Sequence, residues 1–212
     1  MQKDTGLFIT VEGIEGVGKS TNIEWIKQCL EARNIQCIVT REPGGTLLAE
    51  KIRQLLLEVQ EEPVTELSEL LLVFAARAQH VERLIKPTLS QGQWVICDRF
   101  TDATYAYQGG GRGIHRSTIA ELELLVQGQL KPDLTIILDL DPAIGLARAQ
   151  QRASLDRFEQ EEIAFFEKVR KAYLEIAAAE PERCVIIDAS QNLDVVKSNI
   201  LLALQQRVFN GE

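Results

Sequence analysis

The residues most clearly suited to chemistry form a glycine-rich stretch near the start of the chain: Gly13, Ile14, Glu15, Gly16, Val17, Gly18, Lys19, Ser20 and Thr21. It fits G-x-x-x-x-G-K-[ST], whose backbone N–H groups cradle phosphates. Glycines let these N–H groups approach phosphate oxygens without a Cβ in the way. We predict that residues 13–21 bind ATP, that Lys19 contacts the terminal phosphates as a catalytic cation, and that the Ser20 hydroxyl holds Mg²⁺.

The flanking sequence places this stretch between a strand and a helix. Residues 7–11 are an apolar, β-rich run, and residues 21–31 carry helix formers with apolar residues on one face. Strand, glycine loop and helix is the context in which this motif binds phosphates. We therefore favour phosphate binding over a glycine turn with a chance lysine.

Strands and helices alternate along the rest of the chain. Further strands are predicted at residues 36–39, 93–97, 134–140 and 184–187. A long helix is predicted over 65–85, with an interruption near Pro87, and a flexible break is predicted at 109–113. No linker divides residues 1–212, so we expect one α/β domain, a three-layer, doubly wound sheet of five parallel strands.

Charged residues follow two of the predicted strands. Asp98 and Arg99 come after residues 93–97, and Arg41 comes after residues 36–39. Ligands of such sheets bind at the carboxyl ends of strands, and a guanidinium grips phosphate bidentately. We predict that Arg41 and Arg99 bind anions. Asp98 is predicted to face the metal, the alternative being a helix N-cap or an ion pair with Arg99.

The composition argues against several classes of protein. The net charge of −8 disfavours general binding to nucleic acid or to an anionic membrane. No apolar run reaches the ~18 residues of a membrane span, and no signal peptide is recognised at the N-terminus. The scattered cysteines lack zinc-binding spacing. These features predict a cytoplasmic protein with neither nucleic-acid nor membrane partners.

A polar stretch rich in Arg and Gln, residues 148–157, lies between two predicted helices. It suits a lid, at about 147–158, that closes over bound phosphates and excludes water. The alternative is an exposed connection between helices. Neither histidine lies in a base-like constellation. Phosphoryl transfer to a phosphate needs no base, because that acceptor is already largely anionic at pH 7.

Six segments, taken together, resemble the thymidylate kinase family in its bacterial form. They are residues 12–21, 40–46 (Thr-Arg-Glu-Pro-Gly-Gly-Thr), 75–79 (Ala-Ala-Arg-Ala-Gln), 98–100 (Asp-Arg-Phe), 106–112 (Ala-Tyr-Gln-Gly-Gly-Gly-Arg) and 155–159 (Leu-Asp-Arg-Phe-Glu). They occur in order over essentially the whole chain. The resemblance implies a P-loop nucleoside monophosphate kinase fold and phosphorylation of dTMP to dTDP with ATP and Mg²⁺, in dTTP biosynthesis.

The resemblance also implies roles for individual residues. Glu15 looks like the acid that contacts the dTMP sugar 3′-hydroxyl. Arg41 and Arg99 look like ligands of the dTMP phosphate, with Arg99 also catalytic. The remaining implied contacts are the thymine edge for Arg77, the polar surroundings of the base for Thr104 and Gln108, and the sugar 2′ position, favouring deoxyribose, for Tyr107.

Two features distinguish this chain among members of the family. None of the variable P-loop positions is basic, which resembles the subtype whose catalytic arginine comes from the lid; Arg152 is the first candidate and Arg148 the second. The family usually has a base-stacking Phe four residues before the helix arginine. Here Val73 occupies that position and Phe74 lies three before Arg77, so we predict stacking by Phe74, with core packing as the alternative.

Other functions stay open at this stage. The nearest is a kinase for another nucleoside monophosphate or for a deoxynucleoside, which would need a carboxylate base. A remote one is a P-loop switch protein that uses ATP to control a partner. The resemblance further implies a homodimer packed through helices, with residues 66–85 as a candidate surface.

Overall fold

A computed structural model describes residues 5–59, 61–150 and 156–209. Its elements, in chain order, are β1 Phe8–Glu12, α1 Lys19–Glu31, β2 Cys37–Arg41, α2 Leu47–Leu57, α3 Glu66–His80, α4 Lys86–Ser90, β3 Trp94–Asp98, α5 Thr101–Thr104, α6 Arg116–Gln127, β4 Leu134–Asp139, α7 Pro142–Gln150, α8 Ile163–Ala179, β5 Cys184–Asp188 and α9 Leu193–Arg207. Two π-helical segments, Val81–Ile85 and Tyr105–Gly111, follow α3 and α5.

The five strands form one parallel sheet in the order β2-β3-β1-β4-β5, which confirms the predicted fold class. Asp98 at the end of β3 pairs in register with Arg41 of β2 on one side and Val11 of β1 on the other. The carboxyl ends of the three strands therefore meet at one level, where the loop after β1 begins.

The sheet has an apolar core on each face, because successive side chains of a strand point to opposite faces. In β1, Ile9 and Val11 belong to the larger core, which includes side chains of α1, α8 and α9. Phe8 lies in a separate cluster with Phe100 and the π-helical segment after α3. All of β1 is buried, so the strand that leads into the glycine loop is held from both sides.

Two sequence-based expectations about helices were wrong. Pro87 does not interrupt the helical chain, which runs through Val81–Ile85 into α4; Pro87 lies in the first turn of α4. Residues 109–111 are helical rather than a flexible break. Their glycines permit close packing on α8: a Cβ on Gly110 would lie 2.8 Å from the Cβ of Ala172, and one on Gly111 would lie 2.4 Å from the Phe165 ring.

Among the residues that the structure describes, no helix combines the length and apolar character required to cross a membrane. The four cysteines are all unpaired.

Candidate active site

The glycine loop leaves β1 and leads into α1, as the motif predicts. Gly13, Gly16 and Gly18 have φ angles of 133°, 74° and 89°, a region that favours glycine. The half-buried Lys19 donates from Nζ to the carbonyl oxygens of Gly13 (3.1 Å) and Ile14 (3.0 Å). Burial, together with the nearby Arg99 cation, lowers the pKa of Lys19 to about 8. The ammonium is therefore held over the loop at the carboxyl edge of the sheet.

The loop touches α7 backbone to backbone. A Cβ on Gly16 would lie 1.9 Å from the carbonyl oxygen of Gly145, and a Cβ on Gly145 would lie 2.5 Å from that of Glu15. Neither position can take a side chain without moving backbone. The helix that leads into the predicted lid is thus packed directly on the predicted phosphate-binding loop.

A cleft lies beside this loop, where a small molecule would be next to the phosphate-binding motif. Its lining includes six of the residues predicted to bind substrate: Glu15, Arg77, Arg99, Thr104, Tyr107 and Gln108. The other lining residues are Glu42, Pro43, Arg53, Leu57, Val73, Phe100, Ala103, Asp156 and Phe158. The cleft therefore joins segments that are far apart in the sequence.

Arg99 connects the cleft to the glycine loop. Its Nη2 donates to Glu15 Oε1 (2.7 Å), to Tyr107 Oη (2.8 Å) and to the Gly13 carbonyl (3.3 Å). Its Nε is buried without a hydrogen-bond partner among the described residues. With a φ of 67°, Arg99 adopts a left-handed conformation that costs energy in a non-glycine residue. The surrounding bonds hold the side chain in place despite that cost.

Arg77 is only 1% exposed, yet it forms part of the cleft wall. Its Nε donates to Glu42 Oε2 (2.7 Å), and its Nη2 donates to Thr104 Oγ1 (2.9 Å) and the Phe100 carbonyl (3.1 Å). The Nη1 group has no hydrogen-bond partner in the described part of the chain. Glu42 also bonds the buried His80 (2.9 Å). One guanidinium nitrogen thus remains available while the others are tied down.

Arg41 does not line this cleft. Its guanidinium forms a bidentate pair with Glu50, with Nε–Oε1 of 3.2 Å and Nη2–Oε2 of 2.8 Å, and is 53% exposed. It borders a neighbouring cleft instead, together with Ser20 and Asp98. Glu50, in the first turn of α2, holds the Arg41 guanidinium outside the cleft. The position of Arg41 at the end of a strand does not reveal this pairing.

Arg53, which the sequence analysis missed, lines the cleft on the side of Arg99. Its Nη1 donates to the Pro43 carbonyl at 3.0 Å. Burial lowers the pKa of Arg53, and the neighbouring cations Arg41 and Arg99 lower it further. A cation held against other cations is stabilised by an anion among them. The only sequence signal was its position on α2, two turns after the helix start.

Phe74 is not brought to the cleft. It is 2% exposed, packs with Leu70 and Ile119, and lies under the Arg77 guanidinium at 4.8 Å. Val73, one residue earlier, lines the cleft together with Phe100. The geometry therefore corresponds to the core-packing alternative for Phe74, and base stacking by Phe74 gains no support.

Asp98 and Ser20 border the same cleft, as a shared metal site requires. Asp98 Oδ1 is buried with no hydrogen-bond partner within the described ranges. A carboxylate oxygen and a hydroxyl suit Mg²⁺, which is usually bound by one or two protein oxygens plus phosphates and water. The N-cap and Arg99-pair alternatives gain no support: Arg99 pairs with Glu15, and the N-cap of α5 is Phe100.

Comparison with known proteins decides the family. The family model described as thymidylate kinase matches residues 11–200. A curated thymidylate kinase of Teredinibacter turnerae is 58% identical over 95% of this chain and 98% of its own length. The chain belongs to the thymidylate kinase family. Thymidylate kinases of Ectopseudomonas mendocina (57% identity, 92% and 93% coverage) and Hahella chejuensis (53%, 96% and 98%) agree.

The fold agrees with a solved thymidylate kinase as well. The crystal structure of the enzyme from Ehrlichia chaffeensis superposes with a TM-score of 0.76 at 37% identity, covering 95% of this chain and 99% of that one. The predicted resemblance to thymidylate kinases is thereby confirmed.

The structure describes both sides of the predicted lid, residues 147–150 and 156–158. Arg148 is an exposed residue in the last turn of α7, whereas Arg152 lies outside the described residues. Near the end of the predicted lid, Arg157 donates from its backbone N–H to the Leu57 carbonyl (3.0 Å) and from Nε to that of Leu56 (2.8 Å). Asp156 and Phe158, on either side of it, line the cleft.

Proposed function

We propose that the cleft beside the glycine loop is the dTMP site of this thymidylate kinase, and that its residues place the dTMP phosphate next to the ATP phosphates. The enzyme phosphorylates dTMP to dTDP with ATP and Mg²⁺, supplying dTTP synthesis. The observation that carries the proposal is the bonding of Arg99 to Glu15 and to the Gly13 carbonyl. A phosphate bound by Arg99 would therefore lie next to the phosphate-binding loop, because the same side chain bonds that loop.

The chemistry asked of the protein is positioning and charge neutralisation. The acceptor phosphate is already an anion, so it attacks without a general base. Lys19 neutralises the donor phosphates, and Arg99 and Arg53 hold the acceptor. Ser20 and Asp98 would hold Mg²⁺, which neutralises phosphate charge when bound. Burial in the cleft strengthens each of these interactions by excluding water.

The base is recognised by one donor and one acceptor. The Nη1 group of Arg77 is available to donate to thymine O4. Gln108 gives its amide nitrogen to Glu69 (2.9 Å), which leaves its carbonyl oxygen to accept from thymine N3–H. Glu15 is proposed to bind the sugar 3′-hydroxyl, and the Tyr107 ring to occupy the space that a 2′-hydroxyl would need.

ADP release with separate acceptors tests this function. With ATP and Mg²⁺ we expect rapid turnover with dTMP, slower turnover with dUMP, which lacks only the methyl group, and little with AMP, CMP or thymidine. Turnover with thymidine would recast Glu15 or Asp98 as a base for a deoxynucleoside kinase. ADP release independent of any acceptor would indicate an ATP-driven switch.

Arg53 and Arg41 give a matched pair of variants. Arg53→Met is expected to lower kcat/KM for dTMP about 10- to 100-fold, because a charge-assisted contact to the acceptor phosphate is lost. Arg41→Met, which removes an exposed pair with Glu50, is expected to change it by less than about threefold. Steady-state kinetics with varied dTMP distinguish the two. The reverse order would restore Arg41 as the phosphate ligand.

We also propose a homodimer formed through the outer faces of α3 and α6. These neighbouring helices expose four leucines: Leu67, Leu71, Leu124 and Leu125. Exposed apolar patches on helices mark interaction surfaces more often than isolated apolar residues do, and a second copy offers the same leucines in return.

Light scattering coupled to gel filtration tests the dimer. Wild type is expected to elute as a dimer and the double variant Leu71→Glu/Leu125→Glu as a monomer, because two charges per subunit would be buried. Leu202→Glu, on the equally exposed surface of α9, is the control and is expected to stay dimeric. A monomeric wild type at micromolar concentration would refute the proposal.

The remaining proposals concern organisation and location. We propose that residues 1–212 act as one domain with a lid at about 147–158, since all five strands share one sheet. A cytoplasmic location is proposed because ATP and dTMP are cytoplasmic substrates; it is consistent with the unpaired cysteines.

A further inference from the structure

A buried carboxylate that takes no part in the proposed reaction lies behind the dTMP cleft. Glu69 of α3 is 1% exposed. It precedes Val73 by four residues and Arg77 by eight, so the three side chains share one face of the helix. Val73 and Arg77 line the cleft, and Glu69 lies one helical turn before Val73 in α3. An acidic residue at such depth requires strong partners.

Glu69 has three partners from two other segments. Its Oε1 accepts from Gln108 Nε2 at 2.9 Å and from Arg112 Nε at 3.3 Å. Its Oε2 lies 2.7 Å from Arg157 Nη2, an ion pair that reaches the end of the lid. Arg112 also pairs with Glu161 at 2.6 Å. One carboxylate thus contacts both the π-helical segment that carries Gln108 and Arg157 of the proposed lid.

The contact with Gln108 has a direction. A carboxylate facing two guanidinium groups is an acceptor only, whereas a carboxamide has a donating and an accepting end. Gln108 must therefore turn its NH₂ group toward Glu69 and its carbonyl oxygen toward the cleft. If the amide were rotated by half a turn, two oxygens would face each other at hydrogen-bond distance, which is repulsive in a buried site.

We propose that Glu69 is a positioning residue that fixes the amide orientation of Gln108 and thereby makes the cleft select thymine over cytosine. The inference rests on the proposed dTMP site. Thymine presents an N3–H donor where cytosine presents a bare N3 acceptor, and an O4 acceptor where cytosine presents an NH₂ donor. The outward carbonyl of Gln108 accepts from the N3–H of thymine and repels the bare N3 of cytosine. Uracil presents the same edge as thymine and serves as an internal control.

Glu69→Gln is the decisive variant, because a glutamine of the same shape can donate as well as accept. It frees Gln108 to present either end to the base. We expect the ratio of the inhibition constant of dCMP to the KM of dTMP to fall about tenfold, as one buried hydrogen bond loses its fixed direction. The ratio of dUMP to dTMP efficiency should stay constant. Glu66→Gln, on the exposed side of the same helix, is the matched control.

A purely structural role predicts a different result. If Glu69 only stabilises the fold, Glu69→Gln lowers efficiency for all pyrimidine nucleotides in the same proportion and leaves the dCMP ratio at its wild-type value. That outcome, in protein with a normal circular dichroism spectrum, overturns the proposal. A double-mutant cycle adds a second criterion: in a Gln108→Leu background, Glu69→Gln should no longer alter the ratio. An unchanged effect there would also refute it.

Wild-type protein provides a test that does not depend on a variant folding. In ¹⁵N-labelled enzyme without nucleotide, the Gln108 side-chain amide protons, assigned by their loss in Gln108→Leu, should be well separated and protected from exchange. Rapid exchange with solvent would contradict a fixed orientation. Absence of dTMP turnover by the wild type would instead refute the proposed function. The protection of the Gln108 amide is measured without nucleotide, so the two failures can be distinguished.

Discussion

Replacing Lys19 with Met is expected to lower kcat by about a thousandfold or more, because the preorganised cation nearest the donor phosphates is lost. The ammonium is held by the Gly13 and Ile14 carbonyls rather than by a carboxylate. Phosphate oxygens can therefore displace its partners without breaking an ion pair. Steady-state ADP release measures the effect. Lys27→Met, on the same helix and in a half-exposed pair with Glu31 at 3.7 Å, is the control and should retain activity.

The same lysine sets a pH dependence. Burial and the Arg99 cation lower the pKa of Lys19 to about 8 in the unliganded enzyme. The charged form, which binds phosphate, is present below that pKa and is lost as the pH rises through it. We expect kcat/KM for ATP, which reports the free enzyme, to fall above about pH 8. A flat profile up to pH 9.5 would contradict this assignment, and so would full activity of Lys19→Met.

Replacing Arg152 with Ala is expected to lower kcat by about 10³- to 10⁵-fold, by analogy with arginine fingers, with little change in the KM of dTMP. The described residues of the P-loop motif include no basic side chain ahead of Lys19. A second cation for the transferred phosphoryl group must therefore come from elsewhere, and Arg152 belongs to the predicted lid segment. Loss confined to the transition state lowers kcat and kcat/KM together.

Arg148→Ala is the matched comparison, since Arg148 lies four residues earlier in the sequence, near the end of α7. We expect it to cost much less than Arg152→Ala. If Arg148→Ala has the larger effect on kcat, the catalytic role moves to Arg148. If Arg152→Ala raises the KM of dTMP and leaves kcat unchanged, Arg152 binds the ground state and is not catalytic.

Local patterns in the sequence were sufficient for the fold. The glycine motif between a strand and a helix, and the apolar runs at regular intervals, predicted five parallel strands in one sheet. Strand ends were displaced by only one or two residues. Parallel strands also bring their carboxyl ends together, and this accounts for the correct expectation that Asp98 and Arg99 lie beside the glycine loop.

What the sequence could not predict depends on contacts with residues distant in the chain. Arg41 and Arg53 are both arginines near the same loop, and only the folded positions of Glu50 and Pro43 show which one faces the cleft. Val73 and Phe74 share one helical turn, and the packing of Ile119 against Phe74 turns it inward. Glycines 110 and 111 look like a break, but their missing Cβ atoms make room for α8.

The backbone contact between Gly16 and Gly145 joins α7, which leads into the predicted lid, to the glycine loop. At its beginning, α7 cannot separate from the ATP loop without opening a contact that has no side chains to bridge a gap. On the other side of residues 151–155, Arg157 donates to the Leu56 carbonyl of α2 and pairs with Glu69 of α3. Residues 151–155 join these two anchors. The predicted lid is therefore anchored to the glycine loop through α7 on one side and to α2 and α3 through Arg157 on the other.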